Sequence, residues 1–369
     1  MRRSAFLLIV VAFLLFACTT PAQESSSETV YEIGLIAPLS GDAAFIGEGL
    51  SGVTQVAVED VNALWADDNK RLVVRYEDGM CNGREALSAL QSLHDRYSIT
   101  VISGGACSGE TLGMAPYAND NQILLLSSGS TSPAIREAGE FVFRNYPSDD
   151  GVAIILSEQI AQQGFSRVAL LSENTDYAQD LRDAFVSNLE QRGVEVVASE
   201  NVLSSSRDFR TELTRIQQEQ PTVLVLVPQT APMSASMMRQ VRELGLQAEL
   251  FFPDLGVLFD ALTDNRDLFV GVTTARYVVA AQDSEEYQDI LARSSCTLEG
   301  YCAAQYDAIV LLADIIDSCG SVDALCVQQG LFDTQGRQGL AGELSFDENG
   351  EILGNFEIVR ISEEAIELV

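Results

Sequence analysis

Residues 100–133 read TVISGGACSGETLGMAPYANDNQILLLSSGSTSP. Residues 100–104 form an apolar, β-branched run too short for a helix, and they predict a strand. A loop of glycine, cysteine and serine follows, and residues 111–119 predict a helix. Residues 123–127 are a second short apolar strand, and residues 127–133 (SSGSTSP) a second hydroxyl-rich loop. A strand, helix and strand so closely spaced imply two parallel strands in a sheet covered on both faces.

The same alternation extends outward. Strands are predicted at 31–38 and 71–77. Helices are predicted at 47–65, where Leu50, Val53, Ala57, Val61 and Leu64 recur at helical spacing, and at 84–97. After Asp149 helices at 152–163, 178–192, 209–219 and 233–244 alternate with strands at 167–171, 195–199, 223–227 and 250–252. One sheet therefore runs to about Ser127 and a second starts at about Arg167. An amphipathic helix covers 303–317. Residues 339–346 and 355–361 read as antiparallel strands around the Asp-Glu-Asn-Gly turn at 347–350. The fold class is α/β, with two doubly wound parallel-sheet lobes.

The N-terminus fixes the compartment. Arg2 and Arg3 precede an apolar run from Phe6 to Ala17, which is shorter than the roughly 20 residues of a membrane span and matches a signal peptide over 1–17. Leu15-Phe16-Ala17-Cys18 resembles a bacterial lipobox, so Cys18 is the expected lipidation site. Residues 18–29 are a polar tether without periodicity. The body is expected to be soluble, with the N-terminal lipid as its sole membrane contact. The chain has 22 basic and 54 acidic residues, a net charge of −32, and loss of Arg2 and Arg3 makes it about −34. Such a surface repels nucleic acid and anionic lipid. Six further cysteines, Cys81, Cys107, Cys296, Cys302, Cys319 and Cys326, point to disulfides in an exported chain. Proximity favours pairing them in that order, although the connectivity of the last four stays open among several.

Enzymatic chemistry has little support. His94 is the sole histidine and sits mid-helix, read as a surface residue, which leaves no Ser/His/Asp triad. Zinc would need more close ligands, and no cofactor is expected. Gly47-x-Gly49-x-x-Gly52 matches a dinucleotide fingerprint but lies well past the strand, so a glycine-rich loop entering a helix is the expectation. What remains are two hydroxyl-rich loops, at 104–111 and 127–133, on adjacent strands. Loops at strand carboxyl ends form the ligand site of open α/β sheets, and helix N-termini there suit a carboxylate. Capping by serine and threonine is the competing role.

Several pieces carry a resemblance: IGLIAPLSG at 33–41, YEDGMC at 76–81, GACS at 105–108, SSGSTSP at 127–133, and Tyr177 within ENTDY. In order and spacing the chain, from Val30 to about Phe356, resembles the leucine/isoleucine/valine-binding family of type I periplasmic solute-binding proteins of ABC transporters. The resemblance implies two lobes joined by three hinge crossings, near 146–149, 272–275 and 340–342. Lobe 1 is then 30–147 plus 274–340, and lobe 2 is 148–273 plus 341–369. It implies a Cys81–Cys107 disulfide. Ser108 and Thr131 would hold a ligand carboxylate, with backbone groups from Gly129, Ser130 and Thr131. Tyr177 would contribute from the second lobe, and Asp254 would meet the ligand ammonium. Near Phe45 and Ile46, and near Thr230, a family member carries aromatics against the ligand side chain, so the specificity pocket here differs.

The expected function is a monomeric receptor for a small amino-acid-like ligand that serves an ABC permease. A sensory or cell-envelope regulatory lipoprotein on the same fold is the alternative.

Overall fold

The computed structural model describes residues 28–369, with backbone alone at 255–260 and 264. The signal peptide and the lipidation at Cys18 lie outside the described residues. The first lobe holds β1 (Thr29–Ala37), β2 (Lys70–Asp78), β3 (Val101–Gly104), β4 (Leu124–Ser127) and β5 (Val142–Arg144), in the order β2-β1-β3-β4-β5. All its pairings are parallel. Helices α1 (Ala44–Leu64), α2 (Gly83–Tyr97) and α3 (Ser108–Asp120) connect the strands.

The second lobe holds β6 (Arg167–Glu173), β7 (Glu195–Val202), β8 (Val223–Val227), β9 (Glu249–Asp254) and β10 (Thr273–Tyr277). Its helices are α4 (Asp149–Gln162), α5 (Asp176–Gln191), α6 (Arg210–Gln218), α7 (Ala231–Leu244) and α8 (Leu255–Phe269). The chain then returns to pack α9 (Glu285–Ser294) and α10 (Glu299–Cys319) on α1, followed by α11 (Ala324–Phe332). A small hairpin, β11 (Arg337–Gln338) and β12 (Glu343–Leu344), precedes β13 (Phe356–Ile361) and β14 (Ile366–Leu368). The second sheet runs β14-β13-β10-β9-β8-β6-β7, with β13 antiparallel to β10 and to β14.

Burial explains the strand sequences. β8 (VLVLV) is buried at every position, the continuous apolar run of a strand covered on both faces. α2 buries Ala86, Ala89, Leu90 and Leu93, one helical stripe. The Asn82 side chain caps that helix by accepting from Arg84 N and Glu85 N. Truncating a stripe leucine such as Leu90 to alanine costs about 2–5 kcal/mol at a site this closed.

Several expectations are corrected. Residues 339–346 do not pair with 355–361: β12 pairs with β11, and β13 adds to β10. The turn at 347–350 exists, with Gly350 N donating to Asp347 O at 3.0 Å, but it joins no ladder. The short strand β5 and helices α9 and α11 went unpredicted. His94 is half-buried, its Nδ1 3.3 Å from Ile99 O.

The first crossing, at 145–148, lies between β5 and α4. Residues 273–277 form β10, inside the second sheet, so the second crossing follows it at 278–284. Leu344, Phe346 and Ile352 pack in the first-lobe core, and Arg144 bridges to Glu351, so the third crossing falls at 353–355. The three passages pack around Tyr146 and Tyr277, whose ring centroids are 5.0 Å apart. Asp307 on α10 accepts from Leu340 N and Ala341 N, each at 2.8 Å. Burial pushes its carboxyl up to about 6.

Candidate functional site

Each sheet reverses strand order once, between β1 and β3 and between β6 and β8. Loops from these strand ends, joined by that after β4, face each other across the cleft, where open α/β sheets leave room for a ligand. A cavity of about 30 Å³ lies there, lined by Ile46, Ser108, Gly129, Thr131, Tyr177 and Gln229, among others. The structure thus brings together Ser108, Gly129, Thr131 and Tyr177, four of the six ligand residues expected from sequence.

The first-lobe loops are rigidly tied. Ser127 Oγ donates to Gly105 O at 2.6 Å and accepts from Ser130 N at 2.9 Å. Ser130 Oγ donates to Gly105 O at 2.9 Å, which turns its hydroxyl into a brace between the loops. Ser108 Oγ accepts from Ser132 N at 3.1 Å. Thr131 Oγ1 donates to Asp149 Oδ2 at 2.6 Å, and Asp149 N returns a bond to Thr131 O at 2.9 Å. Beneath the loop lies Arg144, fully buried, donating to Ser132 O at 2.8 Å and paired with Glu351.

Glu110 fastens the other loop. Its Oε2 accepts from Ala106 N at 2.9 Å and Cys107 N at 3.0 Å, and its Oε1 from Cys81 N at 2.9 Å. Burial pushes its carboxyl up to about 7, against the pull of those donors. The Cys81–Cys107 disulfide sits at the same place, and Cys296–Cys302 and Cys319–Cys326 also form. These are the pairs that proximity favoured, and they close the choice that the sequence left open among the last four cysteines.

From the second lobe, Tyr177 is 5% exposed, and its hydroxyl has no hydrogen-bond partner among the described residues. Burial holds its phenol protonated, well above the ordinary range, so it presents a donor. Asp254 ends β9, is 8% exposed, and accepts from Tyr301 Oη at 2.8 Å. Tyr301 stacks on Tyr146 with centroids 4.5 Å apart. Burial, and then the neighbouring Asp254, push the Asp149 carboxyl well above its usual range. The arrangement offers neutral donors on one side and acids on the other.

Phe45 packs between the two lobe cores. Thr230 caps α7, accepting from Met233 N at 3.4 Å, and lines a larger outer cavity of about 520 Å³. The lobes also touch through Arg207 and Asp42 at 3.2 Å, through Ser132 and Asp180, and through Gln229 Nε2 and Cys81 Sγ at 3.3 Å. Gly47 and Gly52 serve packing: a Cβ would stand 2.1 Å from Pro38 O and 2.4 Å from Ser294 O.

Sequence reasoning missed Asp149, Gln229, Tyr301, Arg144 and Glu110. Asp149 had a signal, since Pro147-Ser148 before it marks a helix start. Tyr301 lay just outside the helix predicted at 303–317.

Comparison with known proteins agrees with this geometry. The periplasmic binding protein family model matches residues 30–365. An amino acid binding protein of Pseudomonas aeruginosa is 25% identical over 330 residues, 87% of each chain. The branched-chain amino acid transporter substrate binding protein LivJ of Streptococcus pneumoniae, solved with isoleucine, superposes with TM-score 0.80 at 20% identity, covering 92% of this chain and 99% of that one. A solute binding protein of R. palustris, solved with 4-hydroxybenzoate, gives TM-score 0.80 at 17% identity, covering 92% and 95%. Two lobes built on largely parallel sheets, a cleft at both switch points and a match over nearly the whole length lead to one conclusion: the chain belongs to the periplasmic binding protein family, as a type I solute-binding protein.

Proposed function

We propose that this protein is an extracytoplasmic, lipid-anchored receptor that closes on a small amino acid or related carboxylate and delivers it to an ABC permease. The observation that carries the reading is the convergence of Ser108, Gly129, Thr131 and Tyr177, from both lobes, on one cavity beside the buried Asp254. Serine hydroxyl, backbone N–H and the free Tyr177 phenol supply donors for a carboxylate. Asp254 supplies the anion that an ammonium needs. Relatives named for amino acid binding support the ligand class. In sequence, the leader and Cys18 support anchoring.

The test is a thermal-shift screen of the mature protein against amino acids, short peptides and small organic acids. One of them should stabilise it by about 2.7 kcal/mol at a hundredfold excess over Kd. A flat response to all of them contradicts the receptor reading. Mass spectrometry of membrane-extracted protein should show an acylated Cys18, and a free N-terminal thiol there would remove the anchor from the proposal.

A further inference from the structure

Two cavities meet at Gln229. The inner one, about 30 Å³, has space for about two water molecules. Ile46, Tyr177 and Tyr301 are among its lining, and a bulky side chain exceeds that volume and has to extend out of it. The outer cavity, about 520 Å³, opens at the rim of the cleft. Gln229 lines both, is 8% exposed, and sends its Nε2 to a disulfide sulfur at 3.3 Å. Sulfur is a weak acceptor, so a ligand can take over that amide at little cost.

The chemistry of the outer cavity selects the ligand. Asn82, Asn174, Gln179 and Ser204 make its lining polar, and an aliphatic tail would gain little there. Its charged lining is Asp42, Glu173 and Asp176, with no lysine or arginine among the lining residues. Arg207 answers Asp42 at 3.2 Å, at an exposed site. Glu173 is buried and accepts from Gln229 N at 2.8 Å, beside the junction of the two cavities. Asp176, in the first turn of α5, faces Gly109 across the cleft.

Resting on the amino-acid reading above, we propose that the ligand's side chain passes Gln229 into the outer cavity and ends in a cation. The preferred ligand is then a basic amino acid rather than a branched aliphatic one. Calorimetric titration of the mature protein with arginine, lysine, leucine and isoleucine tests this. Arginine or lysine should bind at least about tenfold more tightly than leucine. Asp176→Asn, an exposed change, should weaken the basic ligand about fivefold and leave leucine unaffected. Gln229→Leu should shift preference toward leucine. Tighter binding of leucine or isoleucine by the wild type overturns the inference and leaves the receptor function standing. So does a basic-ligand affinity that Asp176→Asn leaves unchanged. If no amino acid binds, the ligand class itself falls, and this inference with it.

Discussion

Asp254 and Tyr177 divide the work at the residue scale. Asp254→Asn keeps the shape and an acceptor for Tyr301 while removing the charge. Losing the counter-ion of a buried ammonium should weaken binding by about 30-fold or more. Binding within about threefold of wild type, a difference below 1 kcal/mol, would mark Asp254 as a helix cap only. Tyr177→Phe should leave the unliganded stability unchanged or slightly higher, because the hydroxyl is buried without a partner among the described residues. Affinity should fall about tenfold if that hydroxyl donates to the ligand. Denaturant melts and titrations on the same two variants separate these effects. Short apolar strands flag their own carboxyl ends, which placed the loops that carry Ser108 and Thr131, and Asp254 at the end of its strand; the ligand roles given to these three residues came from the family resemblance. Gln229 and Tyr301 could not be picked out, because nothing local distinguishes a cleft-facing residue from its neighbours.

At the element scale, the hydroxyl-rich loop at 127–133 owes its shape to Arg144 and Glu351, which are 207 residues apart in sequence. Periodicity reports neighbours along the chain, so it gave no sign of this pair. It misplaced the second and third crossings for the same reason: the sheet membership of β10 and β13 is set by partners distant in sequence. The interior helices and parallel strands were readable because each carries its own apolar pattern. Arg144→Met should cost about 3 kcal/mol, at the lower end for a broken buried ion pair, because Arg136 still holds Glu351 at 2.6 Å. Chemical denaturation measures it, and a loss under about 0.5 kcal/mol, the range of ordinary surface changes, would show that the loop holds itself. Removing the Cys81–Cys107 bridge, which spans 26 residues, should cost roughly 3 kcal/mol in the chain-entropy model.

At the scale of the whole molecule, pH acts through carboxyls that burial raises, Asp149, Glu110 and Asp307 among them. Burial raises Glu110 to about 7 and Asp307 to about 6, above their unfolded values near 4. A raised acid contributes stability while protonated, in full below about pH 4 and lost as pH climbs through about 6 and 7. The net charge of −32 repels itself more strongly over the same window. The melting temperature should therefore fall from pH 5 to pH 7.5, and Glu110→Gln should flatten the upper part of that slope. A melting temperature that rises across the window would contradict the assignment.

The claim that the two lobes capture a carboxylate from a small amino-acid-like molecule is tested most directly by one titration. The amino acid that gives the largest thermal shift is compared calorimetrically with its own carboxamide. The acid should bind one to one and the amide at least about a hundredfold more weakly, since the Ser108 hydroxyl, the Thr131 backbone N–H and the Tyr177 phenol would lose their anion. Equal affinities, or heat from neither compound, would contradict the account.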